Sequence, residues 1–237
     1  MTAWDYERLI LENFPQIYKA KCLPQPLLKY PDNLGKIEIH ASDLGKVDII
    51  VIPDIRERFP FNPFEPKAPA GLLAEIEDFL GNYIPPFTNI KVKNAHYVAV
   101  KIRVDVRFMP HCDPEFSIRQ LNEELNHFLA PWAYDANSDI VIGGSIYANA
   151  IINFIDRRDY VDYLAQFKLF SSEDGENFKS VPETSDASGY RVQAGSPDSV
   201  LVAARQHQIG LITEARFVNE NFTGINYMQI ELDFIVG

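Results

Sequence analysis

Between Val98 and Phe108 the chain alternates without a break. Val98, Val100, Ile102, Val104, Val106 and Phe108 are apolar, and Lys101, Arg103, Asp105 and Arg107 stand between them. Side chains on a strand point to opposite faces in turn, so the pattern fits a long strand with one apolar and one charged face. Met109 to Asp113 break the pattern, and Pro114 suits the first turn of a helix. From there Ile118, Leu121, Leu125, Phe128 and Leu129 share one helical stripe, while Arg119, Gln120, Glu123, Glu124 and Asn126 face away. A strand and helix of this kind build a layered domain in which the helix folds back onto the sheet. The unit is a scaffold, and nothing in it reads as an active site.

The remaining elements follow in order. Trp4 opens a short helix that Phe14-Pro15 stops, and Lys19 to Leu34, with Pro24, Pro26 and Pro31, reads as an extended connector. Gly35 to Ala41 is a possible short strand with a turn at 42–45. The run VDIIVI at 47–52 is almost wholly apolar, the mark of a central strand. Four prolines between Pro60 and Pro69 define a loop, and Leu72, Leu73, Ile76, Phe79 and Leu80 place a helix at 70–83. Thr88 to Val92 is a strand, turned back by 93–96 into the long one at 97–108. Ser145 is placed to cap a helix running to about Arg157, and Tyr160 to Phe170 is a further strand.

Read together, 47–52, 70–83, 88–92, 97–108, 114–130 and 160–170 spell β-α-β-β-α-β. The expected class is α+β, a ferredoxin-like split βαβ core with one inserted helix. The expected domains are an N-terminal helical arm and connector at 1–46, the core at 47–170, a polar flexible linker or loop at 171–198, and a C-terminal β-strand extension at 199–237. In that extension SVLVAA at 199–204 and MQIELDFIV at 228–236 are strands that pair with each other or extend an exposed sheet.

A net charge of −11 argues against nucleic acid as the main ligand, because phosphate contacts need basic patches. No apolar run approaches the ~20 residues that span a bilayer, and the N-terminus is charged where a signal peptide is apolar. Cys22 and Cys112 lie outside metal-type spacing, which fits reduced, idle thiols in the cytoplasm. No cofactor is expected.

Motifs for chemistry are sparse. His111, Cys112 and Asp113 are adjacent on a turn, a poor arrangement for one metal ion. Gly143-Gly144-Ser145 allows an anion at a helix N-terminus, although a plain turn and cap explain it equally. Asp156, Arg157, Arg158, Asp159 and Asp162 could hold a carboxylate pair for acid–base work, or form a solvated helix end. Phe59, Phe61 and Phe64 lie among prolines, where packing against the domain and docking on a partner are equally open.

Three stretches carry a resemblance. WDYERLILENFPQIYKAKCL at 4–23, the run from Lys101 to Phe170, and SVLVAARQHQI at 199–209 resemble the baseplate J-like proteins, wedge components of contractile phage tails and related injection systems. LxPWAY at 129–134, IxxGGxIY at 140–147 and NFIDxRxYVDY at 153–163 are its most specific parts. The resemblance implies a non-enzymatic subunit that assembles around tube and spike with other wedge subunits and with itself, and couples to sheath contraction. It also implies cytoplasmic assembly into a phage tail-like particle without membrane insertion. Members are often much longer, and these segments resemble their C-terminal part, so a truncated chain and a short variant are both open. Phe59, Phe61, Phe64, Ile146, Tyr147 and Phe154 are the candidate interface residues. A small-ligand-binding or enzymatic α+β domain, and a free-standing adaptor that dimerises through its last strands, are the alternatives.

Overall fold

The computed structural model describes residues 2–24, 45–55, 62–85, 88–135, 137–182 and 189–213. The possible strand at 35–41, the last strand at 228–236, Phe59 and Phe61 lie outside the described residues. The architecture is α+β, with helices α1 (Ala3–Asn13), α2 (Ala70–Gly81), α3 (Pro114–Leu129) and α4 (Ala148–Asp156).

Strands β1 (Ile17–Pro24), β2 (Lys46–Pro53) and β3 (Asn89–Asn94) form one sheet in that order, β1–β2 antiparallel and β2–β3 parallel. The second sheet is built on β4 (His96–Phe108), whose one side pairs antiparallel with β6 (Val161–Ser172). Along its other side run β9 (Ser199–Ala203) and then β10 (Gln208–Leu211), both parallel to it. The two-residue β7 (Lys179–Ser180) pairs antiparallel with the end of β6. A small ribbon pairs β5 (Ser145–Tyr147) with β8 (Arg191–Gln193).

Three apolar clusters order these pieces into layers. One joins α1 and α2 to the first sheet through Ile10, Ile49, Val51, Ile76, Leu80 and Val92. A second joins the two sheets through Ile50 and Ile52 of β2, Tyr97 and Ala99 of β4, and Val200 and Val202 of β9. The third packs Val100, Ile102, Val104 and Val106 against Leu121 and Leu125 of α3 and Ile151 and Ile155 of α4. The order is helices, sheet, sheet, helices. Ile49, Ile50, Val51 and Ile52 are fully buried because β2 has apolar layers on both sides, hence its unbroken apolar run.

Several expectations are corrected. The β-α-β-β-α-β order exists along the chain, but its strands divide between two sheets, so the single ferredoxin-like sheet is not what these residues build. The physical reason is the link between β3 and β4. Only Ala95 separates them, too little chain for a hairpin, and the strand continues from one sheet into the next. Residues 17–24 are extended but paired with β2 rather than a connector. Ser145 does not cap a helix: Ser145–Tyr147 pair with β8, and α4 begins three residues later, where the Ala148 N–H donates to the Tyr190 carbonyl. Gly143, at φ 75°, supplies the turn that aims the chain into β5.

The strand extension at 199–213 joins the long strand directly. Within 171–198, the β6–β7 turn is closed by the Asp174 carboxylate. It accepts from the Ser172 hydroxyl at 2.6 Å and from the backbone N–H of Glu176 at 2.9 Å and Asn177 at 2.8 Å. Those bonds, the Ser172 one foremost, hold its carboxyl below the usual carboxylate range.

Candidate interaction surface

The outward side of α3 carries the most developed surface feature. Asp113 caps the helix through the Glu115 N–H at 3.0 Å, and the apolar stripe turns Leu121, Leu125 and Leu129 inward. Phe116, Gln120, Glu123, Glu124 and His127 therefore line the opposite side at helical spacing. With Phe128, Phe154 and Arg158, the last four of these border an open groove of about 510 Å³ between α3 and α4.

Glu124 organises the floor. It accepts from Gln120 at 2.8 Å and from the Tyr160 hydroxyl at 2.9 Å, and pairs with Arg158 at 3.5 Å. Burial first, then the hydrogen bond to Glu124, raises the Tyr160 phenol well above its ordinary range. Arg158 also donates to the Phe154 carbonyl at 3.0 Å and lies 4.2 Å over the Phe154 ring. Phe154 in turn meets Phe128 with ring centroids 4.5 Å apart. On the other side of His127, its ring stacks on Tyr134 at 3.5 Å, and Tyr134 meets Phe64 edge-on at 6.0 Å. An aromatic strip thus runs from the 62–68 segment across the end of α3 to α4. Tyr134, in the middle of the strip, is 47% exposed, and Phe116, near the start of α3, is 58% exposed.

The structure places the candidate residues unequally. Phe64 and Phe154 belong to this strip, both half-buried. Phe64 also touches both the inter-sheet cluster and the α3–α4 cluster, so packing accounts for much of its surface. Ile146 is half-buried against the same core, on a separate ribbon. Tyr147 beside it is exposed, with Arg191 5.7 Å over its ring and bonded to its hydroxyl at 3.2 Å. His127, Tyr134 and Phe116 were missed by sequence reasoning. The helical spacing of Phe116, Gln120, Glu123 and His127 was the available signal.

The chemical motifs do not converge. Among the described residues no three of His, Cys, Asp and Glu are grouped to hold a metal ion. Asp113 is engaged as the α3 cap. In the charged cluster Asp162 pairs with Arg107 at 3.4 Å and Arg158 with Glu124, while Asp156, Arg157 and Asp159 are exposed. At the Gly-Gly-Ser turn the Gly143 N–H donates to Ser199 at 2.7 Å, and Lys21 donates to the Ile142 carbonyl at 2.9 Å. Cys22 is buried, and desolvation pushes its thiol up to about 11. No described helix is long and apolar enough to cross a membrane.

One buried polar residue went unread in the sequence. His207 sits in the turn between β9 and β10, where two residues more than the β4 register requires are inserted. Its Nδ1 accepts the Ile102 N–H at 3.2 Å, and its backbone N–H donates to Asn122 Oδ1 at 2.8 Å. The imidazole supplies the acceptor that the interrupted strand withholds from β4. Burial, then the charge of Lys101, lowers its pKa to about 4.

Three comparisons set this surface in context. The family model described as "Baseplate protein PVC11-like" matches residues 19–189, more than half of the chain. Among solved structures the chain is similar to one in the cryo-EM structure of the anti-feeding prophage baseplate, six-fold symmetrised. The TM-score is 0.56 at 20% identity, covering 87% of this chain and 37% of that one. At that identity the likeness concerns the fold, and the chain spans just over a third of the length of its structural relative. The comparison with curated proteins found no match. The chain belongs to the PVC11-like family of baseplate proteins.

Proposed function

We propose that this chain is a wedge-type structural subunit of the baseplate of a contractile injection system, related to the baseplate J-like proteins. The observation that carries the reading is the family match across residues 19–189, which takes in nearly all of the first sheet, β4, β6 and β7 of the second, and the helices α2, α3 and α4. In this reading the chain works by holding neighbouring subunits around tube and spike, and by passing their rearrangement to the sheath, without catalysis. It assembles in the cytoplasm into a phage tail-like particle.

The aromatic strip on α3 and α4 supports the reading physically. Large rings kept at a surface and backed by a packed core are what a docking face uses, since they bury much area at little entropic cost. Phe154 is the candidate contact from the sequence that lies in the strip, Phe64 supports the strip from beneath, and Tyr147 is an exposed candidate on the separate β5–β8 ribbon. Phe59 and Phe61 remain candidates outside the described residues. The test is alanine replacement at Tyr147 and Phe154, read as incorporation into purified particles and as thermal unfolding of the free chain. Incorporation falls several-fold while Tyr147→Ala changes stability by less than about 0.5 kcal/mol. Normal incorporation of both folded variants would remove these residues from the interface.

A further inference from the structure

The first sheet does not cover the whole of the second. The inter-sheet cluster takes Tyr97 and Ala99 from β4 and nothing further along that strand. From Lys101 onward the face on that side carries Lys101, Arg103, Asp105 and Arg107, with Lys168 opposite Arg103 on β6. Arg103 and Lys168 are exposed, Lys101 lies 5.0 Å over the Phe178 ring, and Arg107 lies 5.9 Å over Tyr163 while pairing with Asp162. Four cations against Asp105 and Asp162 make this face basic in a chain of net charge −11.

The opposite charge sits on α2. Its twelve residues, AGLLAEIEDFLG, contain three acids and no base. All three are exposed; Glu77 is engaged with the sheet, accepting the Val92 N–H at 3.2 Å, and Glu75 and Asp78 stand one helical turn apart. Gly71 and Ala74 on the same outer side leave it low and flat.

We propose that the open basic face of β4 and β6 binds α2 of a second copy of this chain. This rests on the baseplate reading and names the surfaces through which copies meet. The dimensions agree: β4 from Lys101 to Phe108 is about 25 Å long at ~3.3 Å per residue, and α2 is about 18 Å long at 1.5 Å per residue. The layering supplies a reason for reciprocity. Among the described residues, the part of the second sheet that the first sheet does not cover is a step beside the block made by the first sheet and α2, and both face the same way. A copy turned about a two-fold axis sets its block into that step while receiving the first copy's block in its own. Each pair then makes two identical contacts between a basic sheet and an acidic helix, which sets register and partner by charge.

The test is a charge swap in the full chain. Sedimentation at rising concentration detects self-association of the unaltered protein at low salt, weakened ~10-fold or more as salt rises to ~0.5 M. Lys101→Glu/Arg103→Glu and Glu75→Lys/Asp78→Lys are each folded by circular dichroism and monomeric. Mixed, they pair again, because both contacts of the mixed dimer regain opposite charges. Zero-length lysine–carboxylate cross-links between isotopically distinct copies connect β4 to α2. The inference is overturned if the unaltered chain stays monomeric at ~100 µM in low salt, if the mixed variants fail to pair, or if the cross-links all fall within one chain. Binding of a polyanion to this face without self-association overturns it too. Incorporation of the monomeric variants into particles separates the two readings: normal incorporation leaves the baseplate role intact while removing this contact from it.

Discussion

At the scale of single residues, His207 makes the sharpest demand on the fold. Its Nδ1 accepts from Ile102, so the ring proton is on Nε2, which has no partner among the described residues. Protonating the ring would place a charge in a buried site beside Lys101 and abolish the acceptor. The folded pKa, about 4, lies below the ordinary 6.5. As pH falls the unfolded chain takes up the proton first, so this contribution is intact above pH 6.5 and is lost progressively down to about 4. The loss amounts to about 3 kcal/mol. Urea midpoints from pH 7 to pH 4 should fall more steeply for the unaltered protein than for His207→Asn. Asn keeps an acceptor near the Nδ1 position and does not titrate. Equal acid slopes would mean that the imidazole is not the group responsible.

At the scale of elements, the two longest apolar signals behave differently because different layers cover them. Every second residue of β4 is apolar from Ile102 on, since helices cover one face and, among the described residues, no apolar layer covers the other. Strand β2 is apolar at consecutive positions because it has a core on each side. Ile49→Ala and Ile50→Ala should therefore both destabilise by about 2–5 kcal/mol, although their side chains point in opposite directions. Arg103→Ala should cost less than about 0.5 kcal/mol. A small effect at either isoleucine, measured by chemical denaturation, would contradict the four-layer arrangement. This is also where the sequence was most legible. The long strand, the VDIIVI strand, α2 and α3 were readable within a residue or two from period and proline placement. The assignment of strands to sheets was not, because a one-residue link at Ala95 looks the same whether the chain turns back or crosses to another sheet. Ser145 after two glycines fits a helix cap as well as a strand, and only its pairing with Gln193, 48 residues on, decides between them. Of the candidate site, Phe64 and Phe154 could be named because aromatic residues stand out in sequence. The strip that joins them could not, because Tyr134 and His127 meet only after α3 ends.

At the scale of the whole molecule, the two outer helical layers carry different chemistry. The layer of α3 and α4 presents rings around a carboxylate hub, and the charged residues of α2 on the far side are all acids. A subunit that must touch more than one neighbour has a use for two unlike faces, and separate chemistry at each keeps one contact from competing with the other. The central claim is membership of an assembled baseplate, and the most direct measurement is recovery of the tagged chain from its native host. Mass spectrometry identifies what comes with it, and negative-stain microscopy examines the same fraction. The account predicts sheath, tube and spike proteins together with syringe-shaped particles carrying the tag at the baseplate end. A clean monomer or dimer, recovered from cells in which such particles are present but untagged, would contradict it.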